Sequence, residues 1–189
     1  MDFKKLELRM YGLTPYQLSG IQIGIQFGHA VVEYGQMIKG KTKQEIIYDD
    51  WANNWKTFII LNGGTTNHKT SLEDGLPFGS LNNHLLTLMD NGVDFAQFNE
   101  LDLGDQLTAV VFIVDERVFN RKNYPDFEDW VIDKYGDLII SNGNSYQMAK
   151  RIKESTSKKD QKVYQEWIKL VGGEKNVFLR DFLKNFRLA

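Results

Sequence analysis

Gln22, Gln26, His29 and Glu33 follow one another at steps of four, three and four residues. On a helix turning by about 100° per residue they fall on one narrow stripe. Between Leu18 and Ala30 almost everything else is apolar or glycine. A helix this apolar has to be covered on most sides, so its one polar stripe marks an opening in the protein. His29 and Glu33 stand at i and i+4 and are within pairing distance on a helix. Such a pair would hold the imidazole in one tautomer, and an imidazole steered by a carboxylate can take a proton from water, as ester hydrolysis requires. A histidine that only satisfies a nearby carbonyl is the alternative. Gln22 and Gln26 offer neutral donors and acceptors suited to a carbonyl, an amide, a base edge or, weakly, an oxyanion. Solvated glutamines on an exposed stripe would look the same.

A second set of polar groups lies between two β-segments, in Asn99-Glu100-Leu101-Asp102-Leu103-Gly104-Asp105-Gln106. Glu100, Asp102 and Asp105 could join His29 and Glu33 around a divalent cation, and oxygen ligands would favour Mg²⁺ or Mn²⁺ over Zn²⁺. Their spacing matches no defined metal motif, so they are read as acidic turn residues, and neither metal nor cofactor is assigned. Asn62-Gly63-Gly64-Thr65-Thr66 follows an apolar run, where backbone N–H groups can cradle a phosphate. It lacks the lysine of a P-loop and is read as a turn. His68 and His84 stand alone and carry no inference.

The 189 residues carry a formal net charge of -2, so nothing draws the chain as a whole toward nucleic acid or a membrane. The charge is uneven. From Lys150 to Ala189 there are eleven Lys/Arg and five Asp/Glu, which makes the tail basic and the body acidic. Within that tail Trp167, Lys169, Phe178, Arg180, Phe182, Lys184, Phe186 and Arg187 interleave cations with rings. RNA-binding surfaces use this mixture, and so do amphipathic helices that dock on their own domain. The chain has no cysteine, which excludes disulfides, thiolate zinc sites and cysteine nucleophiles. No apolar run approaches the ~20 residues of a membrane span, and the first residues lack a signal-peptide pattern. A cytoplasmic protein without a membrane partner is expected.

The elements that would position these groups can be placed from periodicity. Lys5–Tyr11 alternates as a half-buried strand and should break at Gly12-Leu13-Thr14-Pro15. Two capping boxes compete to start the next helix, one at Thr14 and one at Ser19. The helix should end near Gly40. Gly20, Gly24 and Gly28 repeat on it every four residues, and each costs roughly 0.5–1 kcal/mol against alanine in a helix interior. Close approach of another element is the expected return. A weaker helix over Thr42–Trp55 leads to a buried strand at Thr57–Leu61. A short helix spans Leu81–Asn91. Strands follow at Val93–Phe98 and Leu107–Val114, the last two expected to pair antiparallel. Beyond Asp115 helical spacing returns at Tyr124–Tyr135, Gln161–Val171 and Val177–Phe186. Gly136–Gly143 reads as turns and Glu154–Lys159 as a linker. The sum is an α/β, three-layer-like sandwich with a mixed, roughly four-stranded sheet over residues 1–115, and a helical C-terminal extension over 116–189.

Three pieces resemble the archaeal and eukaryotic-type (type 2) peptidyl-tRNA hydrolases, in the same order. Gln22-Ile23-Gly24-Ile25-Gln26-Phe27-Gly28-His29-Ala30 is similar to that family's first-helix motif, Lys-x-Ala-x-Gln-x-x-His-Ala. Trp55-Lys56-Thr57-Phe58-Ile59-Ile60-Leu61 resembles its second strand. Phe95 to Phe112, with Gly104 ahead of Thr108-Ala109-Val110-Val111-Phe112, resembles its closing hairpin. The family's lysine is Gln22 here, and its Asp-Ala-Gly-x-Thr-Gln run falls on Phe95–Glu100, so its aspartate and threonine are also replaced. The resemblance implies hydrolysis of an acyl ester on tRNA or a related substrate. His29 is then the expected base, and Glu33 or Glu100 orients it. Gln22, Gln26, Asp102 and Thr108 are expected to contact substrate. The alternative is a module that binds RNA, a nucleotide or a protein after losing the lysine. tRNA or another RNA is the expected partner, and pairing into a homodimer is compatible with the resemblance.

Overall fold

The computed structural model describes residues 5–67, 79–139 and 145–189. They divide into two compact units, residues 1–116 with 183–189, and residues 117–182.

The first unit is built on a four-stranded mixed sheet in the order β2-β1-β4-β3. Strand β1 (Leu8–Pro15) is central. It pairs parallel with β2 (Thr57–Gly64) and antiparallel with β4 (Gln106–Asp115), whose other edge carries β3 (Phe95–Glu100). A parallel pair needs a long crossover, supplied here by helices α1 (Gly20–Met37) and α2 (Thr42–Asp50) and a wider, π-type turn at Trp51–Trp55. Helix α3 (Ser80–Asp90) connects β2 to β3.

The expected break at Gly12–Pro15 does not occur; the strand continues to Pro15. Gly12 is there for space. A Cβ at this position would lie 2.2 Å from the Phe27 ring of α1. The next residue, Leu13, turns to the other face, where its Cβ and the Leu81 side chain of α3 close on Gly63. Successive strand residues face opposite ways, so α1 and α3 cover opposite faces of the sheet and the unit has three layers. Met10, Phe27, Ala30, Tyr34, Trp51 and Val111 form the core on the α1 side.

The glycine repeat also departs from expectation. A Cβ at Gly20, Gly24 or Gly28 would meet nothing within 4 Å. The close-packed glycine of α1 is Gly35, where the Tyr48 hydroxyl of α2 would sit 3.1 Å from a Cβ. The open glycines share a face with Ile21, Ile25 and Val32, which are 79%, 50% and 60% exposed.

Residues 183–189, read from sequence as part of the helical extension, belong to the first unit. The Asn62 N–H donates to the Arg187 carbonyl and the Ala189 N–H to the Ile60 carbonyl, so Leu188 forms an antiparallel bridge on the outer edge of β2.

The second unit begins within the single turn α4 (Glu116–Phe119) and contains α5 (Phe127–Ile139), α6 (Ser145–Glu154), α7 (Lys158–Leu170) and most of α8 (Glu174–Leu183). Helix α5 runs through Gly136, where turns were expected, and residues 140–144 lie outside the described residues. Helix α6 was not foreseen. Gly172 (φ 95°) and Gly173 (φ 106°) end α7 in a conformation that side chains disfavour. The core holds Phe127, Val131, Ala149, Trp167, Ile168 and Val177. Among the described residues no helix is long and apolar enough to cross a membrane.

Candidate functional site

Helix α1 starts at Ser19, not Thr14. The Ser19 Oγ accepts from the Gln22 N–H and the Gln22 Oε1 accepts from the Ser19 N–H, a complete capping box. Gln22 therefore holds the helix end and does not join the other stripe residues.

One turn on, Gln26 is buried between α1 and the β3–β4 hairpin. Its Nε2 donates to the Glu100 Oε2 at 2.7 Å, and its Oε1 accepts from the Thr108 hydroxyl at 2.9 Å. The amide orientation follows from chemistry. An ionised carboxylate only accepts, so the NH₂ group must face Glu100 and the carbonyl must face Thr108. Thr108 is fully buried, and its hydroxyl also lies 3.2 Å from the Phe98 carbonyl. Thr108 was expected to touch substrate; it instead fixes Gln26 from behind.

Glu100 closes β3 and opens the single 3₁₀ turn Leu101–Leu103, where its Oε1 accepts from the Asp102 N–H. The turn is completed by Gly104 and Asp105 at positive φ (72° and 59°). The Gln26 amide, then the Asp102 N–H and the nearby His29, hold the Glu100 carboxyl below the usual carboxylate range. It is ionised, and its outer face is open to water.

His29 stands exposed within electrostatic reach of this carboxylate and forms no hydrogen bond or ion pair with it. Its ring lies 4.5 Å from that of Phe98, tilted by 55°. Ala96, Phe98 and Glu100 alternate toward α1, so β3 supplies both the ring under the imidazole and the carboxylate beside it. Phe98 is the residue the sequence reading missed, although the period-two pattern contains it. Glu33, a turn further along α1, is exposed and forms no ion pair with His29. The Asp102 side chain is exposed on the turn and forms no hydrogen bond or ion pair with the stripe. The structure thus brings together Gln26, His29, Glu100 and Thr108, and leaves Gln22, Glu33 and the Asp102 carboxylate outside that group. Among the described residues no three His, Asp or Glu side chains could hold a metal ion together. Ile21, Ile25, Leu101 (78% exposed) and Leu103 (38%) lie on the elements flanking the group.

The two other sites considered from sequence are filled by the protein itself. In the Asn62–Thr66 segment the Gly64 N–H donates to the Asn62 Oδ1 and the Thr65 N–H to the Ser80 hydroxyl, which in turn donates to the Gly63 carbonyl. No phosphate cradle remains there. In the basic tail, Trp167, Arg180 and Phe182 are buried at 4%, 1% and 8% exposure, so the interleaved rings and cations do not form a stacking surface. His84 packs edge-on against Phe186, and burial pushes its imidazole below the ordinary range. His68 lies outside the described residues.

No protein-family model matches the sequence, and no curated protein matches it.

Proposed function

We propose that the surface formed by α1 and the β3–β4 hairpin hydrolyses an acyl ester, in the manner of a peptidyl-tRNA hydrolase acting on acylated tRNA or a related substrate in the cytoplasm. One observation carries this reading: a carboxylate, Glu100, is fixed by a buried amide within electrostatic reach of an exposed imidazole, His29. His29 takes a proton from water and Glu100 orients the ring and stabilises the imidazolium. The hydroxide adds to the ester carbonyl, and the tetrahedral intermediate collapses with cleavage of the C–O bond. The imidazolium returns its proton to the departing hydroxyl, so the step needs no co-reactant. Gln26 acts through Glu100 and is a positioning residue. The test is release of the acyl group from an N-acylated aminoacyl-tRNA. His29→Ala should lower the rate by about 10²-fold or more, and Glu100→Gln should lower kcat more than it raises KM. Turnover that survives His29→Ala, or no turnover by the folded native chain, overturns the reading.

A second reading is favoured by the exposed apolar side chains Ile21, Ile25, Leu101 and Leu103 and by the amide of Gln26, whose two ends are both bonded within the protein. In it the same surface binds without chemistry, and the partner is RNA, a nucleotide or a protein, a second copy included. Association that persists in His29→Ala, with no ester cleavage, would select it.

A further inference from the structure

The charge of the second unit is concentrated in one place. Between Lys150 and Lys162 six cations stand against two carboxylates. The surrounding structure explains why they stay exposed. Ala149 and Ile152 of α6, with Trp167 and Ile168 of α7, face the core, which turns the basic positions of both helices outward. Lys150, Arg151, Lys153, Lys158, Lys159 and Lys162 are all exposed. Lys150 reaches Glu154 only at 4.0 Å, a distance at which an exposed pair contributes little. The Asp160 carboxylate accepts the Ser155 hydroxyl at 2.6 Å and is turned to the loop.

Two of these cations, Lys150 and Arg151, border an open cleft of about 550 Å³, lined also by Gln147, Glu154, Ser155 and Thr156. Its walls therefore offer an ammonium, a guanidinium fork, a hydroxyl and an amide. No aliphatic side chain lines it. Arginine and lysine with hydroxyl donors are the set that binds phosphate oxygens. Tyr146, 61% exposed, lies on α6 next to Gln147 and one turn before Lys150. An exposed ring beside a phosphate-binding groove suits a strand whose bases are unpaired. It does not suit an acidic peptide, and a lining with no large apolar side chain to insert does not suit a bilayer.

We propose that the cleft formed by α6 and the loop that follows it binds the phosphate backbone of single-stranded RNA, with Tyr146 stacking on a base at its rim. Glu154 is the one carboxylate in the lining and opposes the ligand, which sets a moderate affinity. The site lies outside the α1 surface and does not depend on ester hydrolysis there.

Fluorescence anisotropy with an end-labelled single-stranded RNA of mixed sequence tests this on the full chain. Binding should weaken with salt, with a log–log slope set by about 0.7 per phosphate contacted. Lys150→Glu with Arg151→Glu should weaken binding at least about tenfold and flatten that slope by about 1.4. Glu154→Gln should tighten it, an effect that damage to the fold would not produce. Tyr146→Ala should cost about fivefold or more. Circular dichroism of each variant confirms that the helices remain. Absence of RNA binding at low salt overturns the proposal. So does equal binding of the charge-reversed variant, or preference for a polyglutamate peptide or for phosphatidylserine vesicles over RNA. A Tyr146→Ala variant with unchanged affinity overturns the stacking part. His29→Ala should leave RNA binding at this cleft intact, which separates failure here from failure of the hydrolase reading.

Discussion

Gln26 and Arg180 are both buried polar side chains with several partners, and they do different things for the two units. Arg180, 1% exposed, donates to the Arg117 and Tyr124 carbonyls and to the Asp126 carboxylate, and lies 5.7 Å from the centre of the Trp167 ring. Every one of these partners is on a turn or helix of its own unit, and the arrangement ties the irregular segment after α4 to α7 and α8. Gln26 has fewer partners, and one of them, Glu100, is open to water. The Asp126 carboxylate is partly exposed but is neutralised by two guanidiniums, Arg180 and Arg121, and such a network stabilises a fold. Glu100 forms no ion pair among the described residues, and a network with an uncompensated charge at the surface can also serve a ligand. Buried polarity alone would not have separated the two; the charge on the last member does.

The largest test of this contrast is Arg180→Ala. It would take one donor from each of three acceptors and remove the cation from the Trp167 face, and a loss of about 3–5 kcal/mol is expected, read as a shift in the denaturant midpoint. Near-native stability would mean that the guanidinium is not the organiser described. Gly12→Val comes next. Its Cβ would overlap the Phe27 ring, adjacent in sequence to Gln26, so about 2–3 kcal/mol should be lost and the Gln26–Glu100 bond displaced with it. Gln26→Leu should cost about 1–3 kcal/mol by leaving Thr108 with one partner fewer. In this variant the Glu100 carboxyl should rise toward its ordinary range, which NMR titration reads directly. An unmoved titration would show that the amide does not hold it.

Gly24→Ala has the opposite sign. Nothing lies within 4 Å of the added methyl, so about 0.5–1 kcal/mol of stabilisation is expected. A loss would mean that the α1 face is covered. The smallest effect concerns His84. Burial lowers its folded-state value below the ordinary 6.5, so the unfolded chain takes up the proton first as pH falls. Its contribution is therefore complete above pH 6.5 and is lost as pH drops through the folded value. His84→Phe should flatten that part of the stability–pH curve, read from denaturant midpoints across the range.

The sheet was legible in the sequence because its strands obey simple patterns. Leu107–Val114 is apolar but for Thr108 and proves to be a mostly buried strand in the middle of the sheet. Gly12 misled because a glycine required by the ring of Phe27 looks, in one dimension, like a glycine that ends a strand. The open glycines of α1 misled in the other direction, since a small-residue repeat does not reveal whether anything packs on it. Of the polar stripe, the helical spacing identified Gln26 and His29. It could not reveal that the capping box claims Gln22, or that the hairpin reaches only one turn of α1 and leaves Glu33 alone. Glu100 was found through its neighbours in the loop, whereas Phe98 was passed over as an ordinary core residue. The second unit was least legible. Helix α6 has strong polar character and few apolar anchors, so the sequence did not mark it, and a linker was read only from Glu154 to Lys159.

The bridge from Leu188 to Leu61 joins positions 127 residues apart in a chain of 189. Until the last residues arrive, the outer side of β2 presents unpaired backbone groups, the kind of border on which extended chains add to one another. Refolding at high concentration should then favour intermolecular pairing at this margin, and shortening the chain by its final four residues should raise turbidity without altering the interior of the sheet.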